Sequence, residues 1–170
     1  MIEIHLATSD DVPSLSAIED AAADLFLSYP EIAGLSLPPV EVSKFDAAQR
    51  RGHLWVAALS TGAPVGFAMV EILGDSAHLE EIDVHPDFGR QGIGATLVET
   101  VCRWAQAGGM KMVTLTTFRD IPWNESFYRR MGFEELKPEE LSAALAARIA
   151  EEERRGLPRH LRLAMGYRVL

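Results

Sequence analysis

Residues 81–97 read Glu81-Ile82-Asp83-Val84-His85-Pro86-Asp87-Phe88-Gly89-Arg90-Gln91-Gly92-Ile93-Gly94-Ala95-Thr96-Leu97. A strand ends at Val84, a turn and a glycine-rich loop follow, and a helix begins near Gly92. Leu97, Val98, Val101, Cys102 and Ala105 then recur on one helical face until Gly108-Gly109 stops it. N–H groups at a helix start lack intrahelical acceptors, and the helix dipole adds partial positive charge there, so such a junction binds anions. Glycines let a phosphate approach the backbone with no Cβ in the way. The stretch therefore predicts a phosphate or pyrophosphate site.

The flanking segments set the fold. Leu54–Leu59 and Val65–Leu73 are β-rich runs separated by Ser60-Thr61-Gly62-Ala63-Pro64, a hairpin signal, and Gly74-Asp75-Ser76 turns the chain into a third strand, Ala77–Val84. These three predict an antiparallel meander. After the helix, Met112–Thr117 is another strand, so the strand–helix–strand unit over 79–117 predicts one parallel pair. Upstream, Ile2–Leu6 alternates as a strand. Thr8, Ser9, Asp10 and Asp11 supply N-cap chemistry, and Leu15, Ile18, Ala22 and Leu25 follow with helical spacing. Tyr29–Pro39 holds three prolines and reads as a loop, and a second helix is expected over Val40–Arg51, ending at Gly52. Downstream come a short helix over Trp123–Met131, a charged helix over Glu139–Arg155 and a last strand over Leu161–Met165. The order predicts a mixed α/β fold, a mostly antiparallel sheet flanked by helices, as a single domain over residues 1–170.

Composition narrows the function. The 170 residues are 48% hydrophobic and 24% charged, which suits one soluble globular domain. A net charge of −9 argues against nucleic acid and anionic membranes, which both demand a basic footprint, and is compatible with a cationic substrate. Cys102 is the only cysteine, so no intramolecular disulfide can form, and His5, His53, His85 and His160 lack metal-ligand spacing, so no metal is expected. Neither a signal peptide nor a transmembrane run is visible, and a cytoplasmic location is the expectation.

The loop can be sorted against known phosphate-binding types. A P-loop needs Gly-Lys-Ser/Thr before its helix, which is absent, and a dinucleotide loop needs a third glycine where Leu97 stands. The segment instead resembles motif A of the GNAT N-acetyltransferase family, Q/R-x-x-G-x-G/A after a strand ending Val-x-Pro. Gly92 and Gly94 match its glycines and Val84-His85-Pro86 its strand exit, while Gly89 departs from its Gln or Arg, with Arg90 and Gln91 next to it. Asn124-Glu125-Ser126-Phe127-Tyr128-Arg129-Arg130-Met131-Gly132-Phe133 resembles the family's later motif, N-x-x-x-Y-x-x-x-G-F. The two lie in the family's order, and the resemblance covers about 54–135.

What the resemblance implies is specific. The strand before the loop splays from the next, and its backbone at Ile82, Asp83 and Val84 pairs with the pantetheine arm of acetyl-CoA like an added strand. The backbone from Gly89 and Arg90 through Gln91, Gly92, Ile93, Gly94 and Ala95 cradles the pyrophosphate. An alkylamine with a pKa of ~10 must lose a proton before it attacks. Family bases fall at Glu80 first and His78 second, and residues two apart on a strand share a face. Glu81 faces the other way unless a bulge intervenes. Tyr128 matches the tyrosine that protonates the leaving thiolate, its alternative being a core tyrosine. Asn124 matches a cofactor-arm contact, its alternative being an N-cap. The implied activity is acetyl transfer from acetyl-CoA to a primary amine of a small molecule or peptide, through a ternary complex. A longer acyl-CoA, or a non-catalytic CoA-binding sensor or scaffold, remain the alternatives. Family members are often homodimers. Cys102 is expected in the core, and Glu151-Glu152-Glu153 with Arg154-Arg155 as a solvated helix end.

Overall fold

A computed structural model describes residues 1–169. The strands are β1 (Ile2–Leu6), β2 (Leu54–Leu59), β3 (Pro64–Leu73), β4 (Ser76–Val84), β5 (Met112–Phe118), β6 (Glu134–Glu135) and β7 (Arg162–Arg168). The helices are α1 (Leu15–Ala23), α2 (Pro30–Ala33), α3 (Val42–Arg51), α4 (Ile93–Ala107), α5 (Glu125–Arg130) and α6 (Ala143–Arg154). The seven strands form a mixed, mostly antiparallel sheet in the order β1-β2-β3-β4-β5-β7-β6. The chain forms two compact units, Met1–Glu71 with Glu80–Val101, and Ile72–Leu79 with Cys102–Leu170.

In the first unit, β1 and β2 pair antiparallel from Ile2↔Leu59 to Leu6↔Trp55, and β2 pairs with β3 from Leu54↔Met69, with a register shift between Ala57 and Ala58. Leu15 and Ile18 of α1 and Phe45 and Ala48 of α3 bury against Leu54, Val56, Phe67 and Met69. The Phe45 and Phe67 rings meet edge to face at 5.2 Å. These apolar residues are the i, i+3 stripes of two amphipathic helices laid on the inward faces of alternating strands. Gly52 ends α3 with φ 72°, where a side chain would strain the backbone. Asp11 does not cap a helix with its carboxylate. Its Oδ2 turns back to accept from the Thr8 N–H at 2.8 Å and hydroxyl at 2.9 Å. The expected loop over Tyr29–Pro39 contains α2, one turn started by Pro30 at a position where a missing N–H costs nothing.

In the second unit, the predicted parallel pair is present. β4 lies beside β5 with Ser76↔Met112, Ala77↔Val113 and His78↔Thr114. β5 pairs antiparallel with β7 along its whole length, from Met112↔Arg168 to Phe118↔Arg162, so the last strand is longer than its sequence suggested. β6 adds two residues beside β7, too short to read from alternation. The charged helix α6 starts later than expected, at Ser142, whose side chain accepts from the Leu145 N–H at 3.1 Å. Only part of its acidic run is solvated. Glu151 pairs with Arg154 and Arg155, whereas Glu152 accepts from the Thr116 hydroxyl at 2.8 Å and ties α6 to β5. Cys102 is partly exposed rather than core.

Candidate active site

The loop of the first unit is built by local hydrogen bonds. The His85 N–H donates to the Val65 carbonyl at 2.8 Å, tying the end of β4 to β3. His85 Nδ1 accepts from the Asp87 N–H at 3.2 Å, and the Phe88 and Gly89 N–H groups close a single turn onto the His85 and Pro86 carbonyls. The chain then inverts twice, Arg90 at φ 60° and Gly92 at φ 79°. Arg90 holds a left-handed conformation that a branched or bulky side chain disfavours, a local strain of the kind found at binding sites. Residues 89–92 are exposed and α4 begins at Ile93. Thr96 donates to the Gly92 carbonyl at 3.0 Å as the first closed turn of that helix, so the N–H groups before it have no intrahelical acceptor. A Cβ on Gly92 would meet no atom within 4 Å, so open space stands where an anion would approach.

Glu80 and Lys44 form the next feature of this unit. Lys44 Nζ of α3 donates to Glu80 Oε1 at 2.9 Å, with the carboxylate side chain 14% exposed and the lysine 40%. Sequence spacing pointed to Glu80, but nothing local announced Lys44, which lies 36 residues away.

A second carboxyl group set lies further along the same strand. Asp83 shares a hydrogen bond with Glu81, two residues away, so the pair faces one side. Burial, with the negative charge of Glu19 on α1 adding to it, pushes the Asp83 carboxyl up to about 7, against the opposing effect of the Glu81 hydrogen bond. Glu19 is itself raised, first by burial and then by Asp20, while the Val40 N–H donates to its Oε1 at 2.9 Å and works the other way. Asp83 Oδ2 and Glu19 Oε2 are sealed from solvent without a hydrogen-bond partner. Asp83 was expected to matter only through its backbone, and Glu19 was missed. Its signal was legible, since position 19 falls four after Leu15 and one after Ile18, on the edge of the buried stripe of α1.

In the second unit, His78 is 1% exposed and its Nδ1 lies 3.0 Å from the Thr114 hydroxyl, across the parallel pair. It is an interior residue of the sheet, not a residue at a turn. Tyr128 is 7% exposed and stands edge-on between Phe127 at 5.0 Å and Phe133 at 5.8 Å. Asn124 occupies the cap position of α5 without capping it. Its Nδ2 donates to the Thr117 hydroxyl of β5 instead. Among the described residues no group of His, Cys, Asp or Glu is arranged to hold a metal ion, and no helix is long and apolar enough to cross a membrane.

Residues 18–133 match the acetyltransferase (GNAT) family. The chain belongs to that family. The match takes in residues of both units, and it includes the glycine loop, Glu80 and Tyr128. Among curated proteins, this GNAT chain is 35% identical over 81 residues to an uncharacterised N-acetyltransferase of Methanocaldococcus jannaschii, covering 44% of the chain and 36% of that relative. It thus spans little more than a third of that protein's length. Among solved structures, it resembles the ribosomal-protein-S18-alanine N-acetyltransferase of Escherichia coli, with TM-score 0.68, 18% identity, and 99% and 94% of the two chains covered. It also resembles the PaiA N-acetyltransferase of Thermoplasma acidophilum in complex with coenzyme A, with TM-score 0.70, 15% identity and 99% of each chain covered. At those identities the likeness is one of fold.

Proposed function

We propose that this GNAT chain transfers the acetyl group of acetyl-CoA to a primary amine of a small molecule or peptide, by direct attack in a ternary complex. The observation that carries the reading is the loop itself. Residues 89–92 are exposed, Arg90 and Gly92 are inverted, and the N–H groups at the start of α4 follow without intrahelical acceptors. That geometry suits a pyrophosphate held by backbone alone, so the absence of Gln or Arg at Gly89 leaves the cradle intact.

In this reading the backbone of Ile82, Asp83 and Val84 accepts the pantetheine arm as an added strand. The ladder between β4 and β5 pairs Ser76–His78, and these three residues lie beyond that stretch. Glu80 accepts a hydrogen bond from the amine and draws its proton away, directly or through water, with Lys44 fixing the carboxylate's orientation. Tyr128 donates a proton to the departing thiolate. A phenol with a pKa of ~10 is protonated at neutral pH and can do so. When bound, acetyl-CoA supplies the activated acyl carbon, and the chain supplies position and proton traffic.

Calorimetric titration with acetyl-CoA, followed by thiol release on a panel of amines, tests this. Binding with turnover on any amine is the expected result. Binding without turnover would favour the sensor reading, and failure of the folded protein to bind would end the proposal.

A further inference from the structure

Lys44 does more than orient a carboxylate, because its Nζ is itself a primary amine. The proposed acceptor position is defined by one contact, an amine nitrogen within hydrogen-bond reach of Glu80. Lys44 Nζ makes that contact, 2.9 Å from Glu80 Oε1. The fold holds the lysine there. Its neighbour Phe45 is fully buried and packs edge to face on Phe67, which anchors α3 on the strands. Lys44, Glu80 and the exposed loop at 89–92 all belong to the first unit. With 40% of its side chain exposed, Lys44 is also open to a reagent from outside. The chain has three lysines, Lys44, Lys111 and Lys137. Lys111 is 74% exposed and pairs with Asp75, and Lys137 is exposed, both in the second unit. Lys44 is the one held against the carboxylate that takes the amine's proton in the reading above.

We infer that Lys44 is a site of self-acetylation, by which the chain lowers its own turnover when acetyl-CoA is present and acceptor amine is scarce. The inference rests on the acyl-transfer reading and adds regulation of the same site. In the step, the Lys44 ammonium gives one proton to Glu80. The nitrogen lone pair then forms the C–N bond with the acetyl carbonyl carbon, the C–S bond breaks, and its electron pair leaves on sulfur. The nitrogen's second surplus proton ends on that sulfur as free thiol, and the proton on Glu80 passes to solvent. Ammonium and thioester thus become amide, thiol and one proton. An amine already held in place needs no diffusional encounter, which favours the step where no other acceptor is bound. The product has lost the positive charge and keeps one N–H where the ammonium had three. It also carries an acetyl group in the space beside Glu80 that an acceptor would use. An acceptor amine that reaches Glu80 first competes with Lys44, so substrate protects the enzyme from its own modification.

Peptide mapping by mass spectrometry tests this on the full chain incubated with acetyl-CoA and no amine. A single acetyl group should appear on Lys44, with Lys111 and Lys137 left unmodified over the same interval. Trace acetic anhydride, with no acetyl-CoA present, supplies the contrast, since it should label in order of exposure, Lys111 ahead of Lys44. The rate at Lys44 should not depend on protein concentration and should fall about tenfold or more in Glu80→Gln. The acetylated protein should turn over benzylamine or ethylenediamine about three- to tenfold more slowly than the unmodified chain. Lys44→Arg, whose guanidinium stays protonated, should remain unmodified and keep its turnover through the same incubation. Labelling by acetyl-CoA in the order that acetic anhydride gives would overturn the inference. So would a rate proportional to protein concentration, or an unmodified Lys44 in protein that acetylates either amine. Failure of the wild type to bind acetyl-CoA would instead sink the acyl-transfer reading, and binding with neither Lys44 nor either amine acetylated would count against both.

Discussion

The two halves of β4 are nine consecutive residues put to different uses. Ser76 to Leu79 are all buried, Ser76 to His78 pair with β5, and His78 is hydrogen-bonded inside the sheet. Glu80 to Val84 are all partly exposed and carry three carboxylates, of which Glu80 is paired with Lys44 and Asp83 is pushed up to about 7, first by burial. On average a half-buried strand alternates faces, which predicts His78 and Glu80 on one face. The structure instead changes environment along the strand. A titratable residue near Ser76 thus sits among packed side chains, and one near Val84 keeps partial access to solvent.

The largest expected effect lies just past the second half. Gly92 has φ 79°, and its Cβ would point into open space, so Gly92→Val strains the loop and obstructs the anion's approach without disturbing the interior. Acetyl-CoA affinity should fall by about 100-fold or more, equivalent to ~3 kcal/mol, with little change in melting temperature. Calorimetry and thermal denaturation read the two separately. A retained affinity would mean that the cradle lies elsewhere.

The first half is tested by His78→Leu. The substitution keeps an apolar volume in the sheet but leaves the Thr114 hydroxyl without this partner, at 4% exposure. Urea denaturation should show a loss of about 1–3 kcal/mol, the range for orphaning a buried polar group. Turnover at a temperature where the variant is folded should fall less than about threefold, because a packing residue makes no transition-state contact. A large loss of kcat with unchanged stability would make His78 part of the chemistry and erase the distinction between the halves.

Asp83→Asn sharpens the contrast from the second half. The folded-state value of about 7 lies above that of an unfolded aspartate. The folded protein therefore binds more protons between the two values, and this group's contribution to stability falls as pH rises through that window. Wild-type stability should drop from pH 5 to pH 8 relative to Asp83→Asn by roughly 1–3 kcal/mol, with the variant the more stable at the upper end. Parallel stability curves would show that Asp83 titrates as an ordinary surface carboxylate.

How much of this was legible depends on the range of the interaction. The meander, the parallel pair and the loop at 89–95 follow from periodicity and turn residues, which are local. Gly92 could be read because a loop entering a helix needs a glycine there. The inverted φ of Arg90 could not, since arginine carries no signal for that conformation. Glu80 was singled out by its place before Val84 in the family pattern, but its partner Lys44 comes from α3, and only the packing of that helix onto the strands fixes the pair. Asp83 and Glu19 illustrate the same limit. Each looks like an ordinary acid in sequence, and their significance comes from burial and from each other. Tertiary proximity, not composition, separates a buried or paired carboxylate from one that only solvates.

Lys44→Met gives the smallest expected effect on stability and the finest test of the second half. The lysine is 40% exposed, so solvent screens the pair, and its loss should cost less than about 1 kcal/mol. The catalytic consequence should be larger in proportion. Lys44 holds one oxygen of Glu80 at 2.9 Å, and a carboxylate that must meet an amine in one orientation loses more from rotation than the fold does. We expect kcat to fall about three- to tenfold with acetyl-CoA affinity unchanged, and Lys44→Arg, which can donate to the same oxygen, to recover most of it. Should kcat be unaffected by Lys44→Met, Glu80 would be an ordinary paired carboxylate, and the amine would lose its proton to another acceptor.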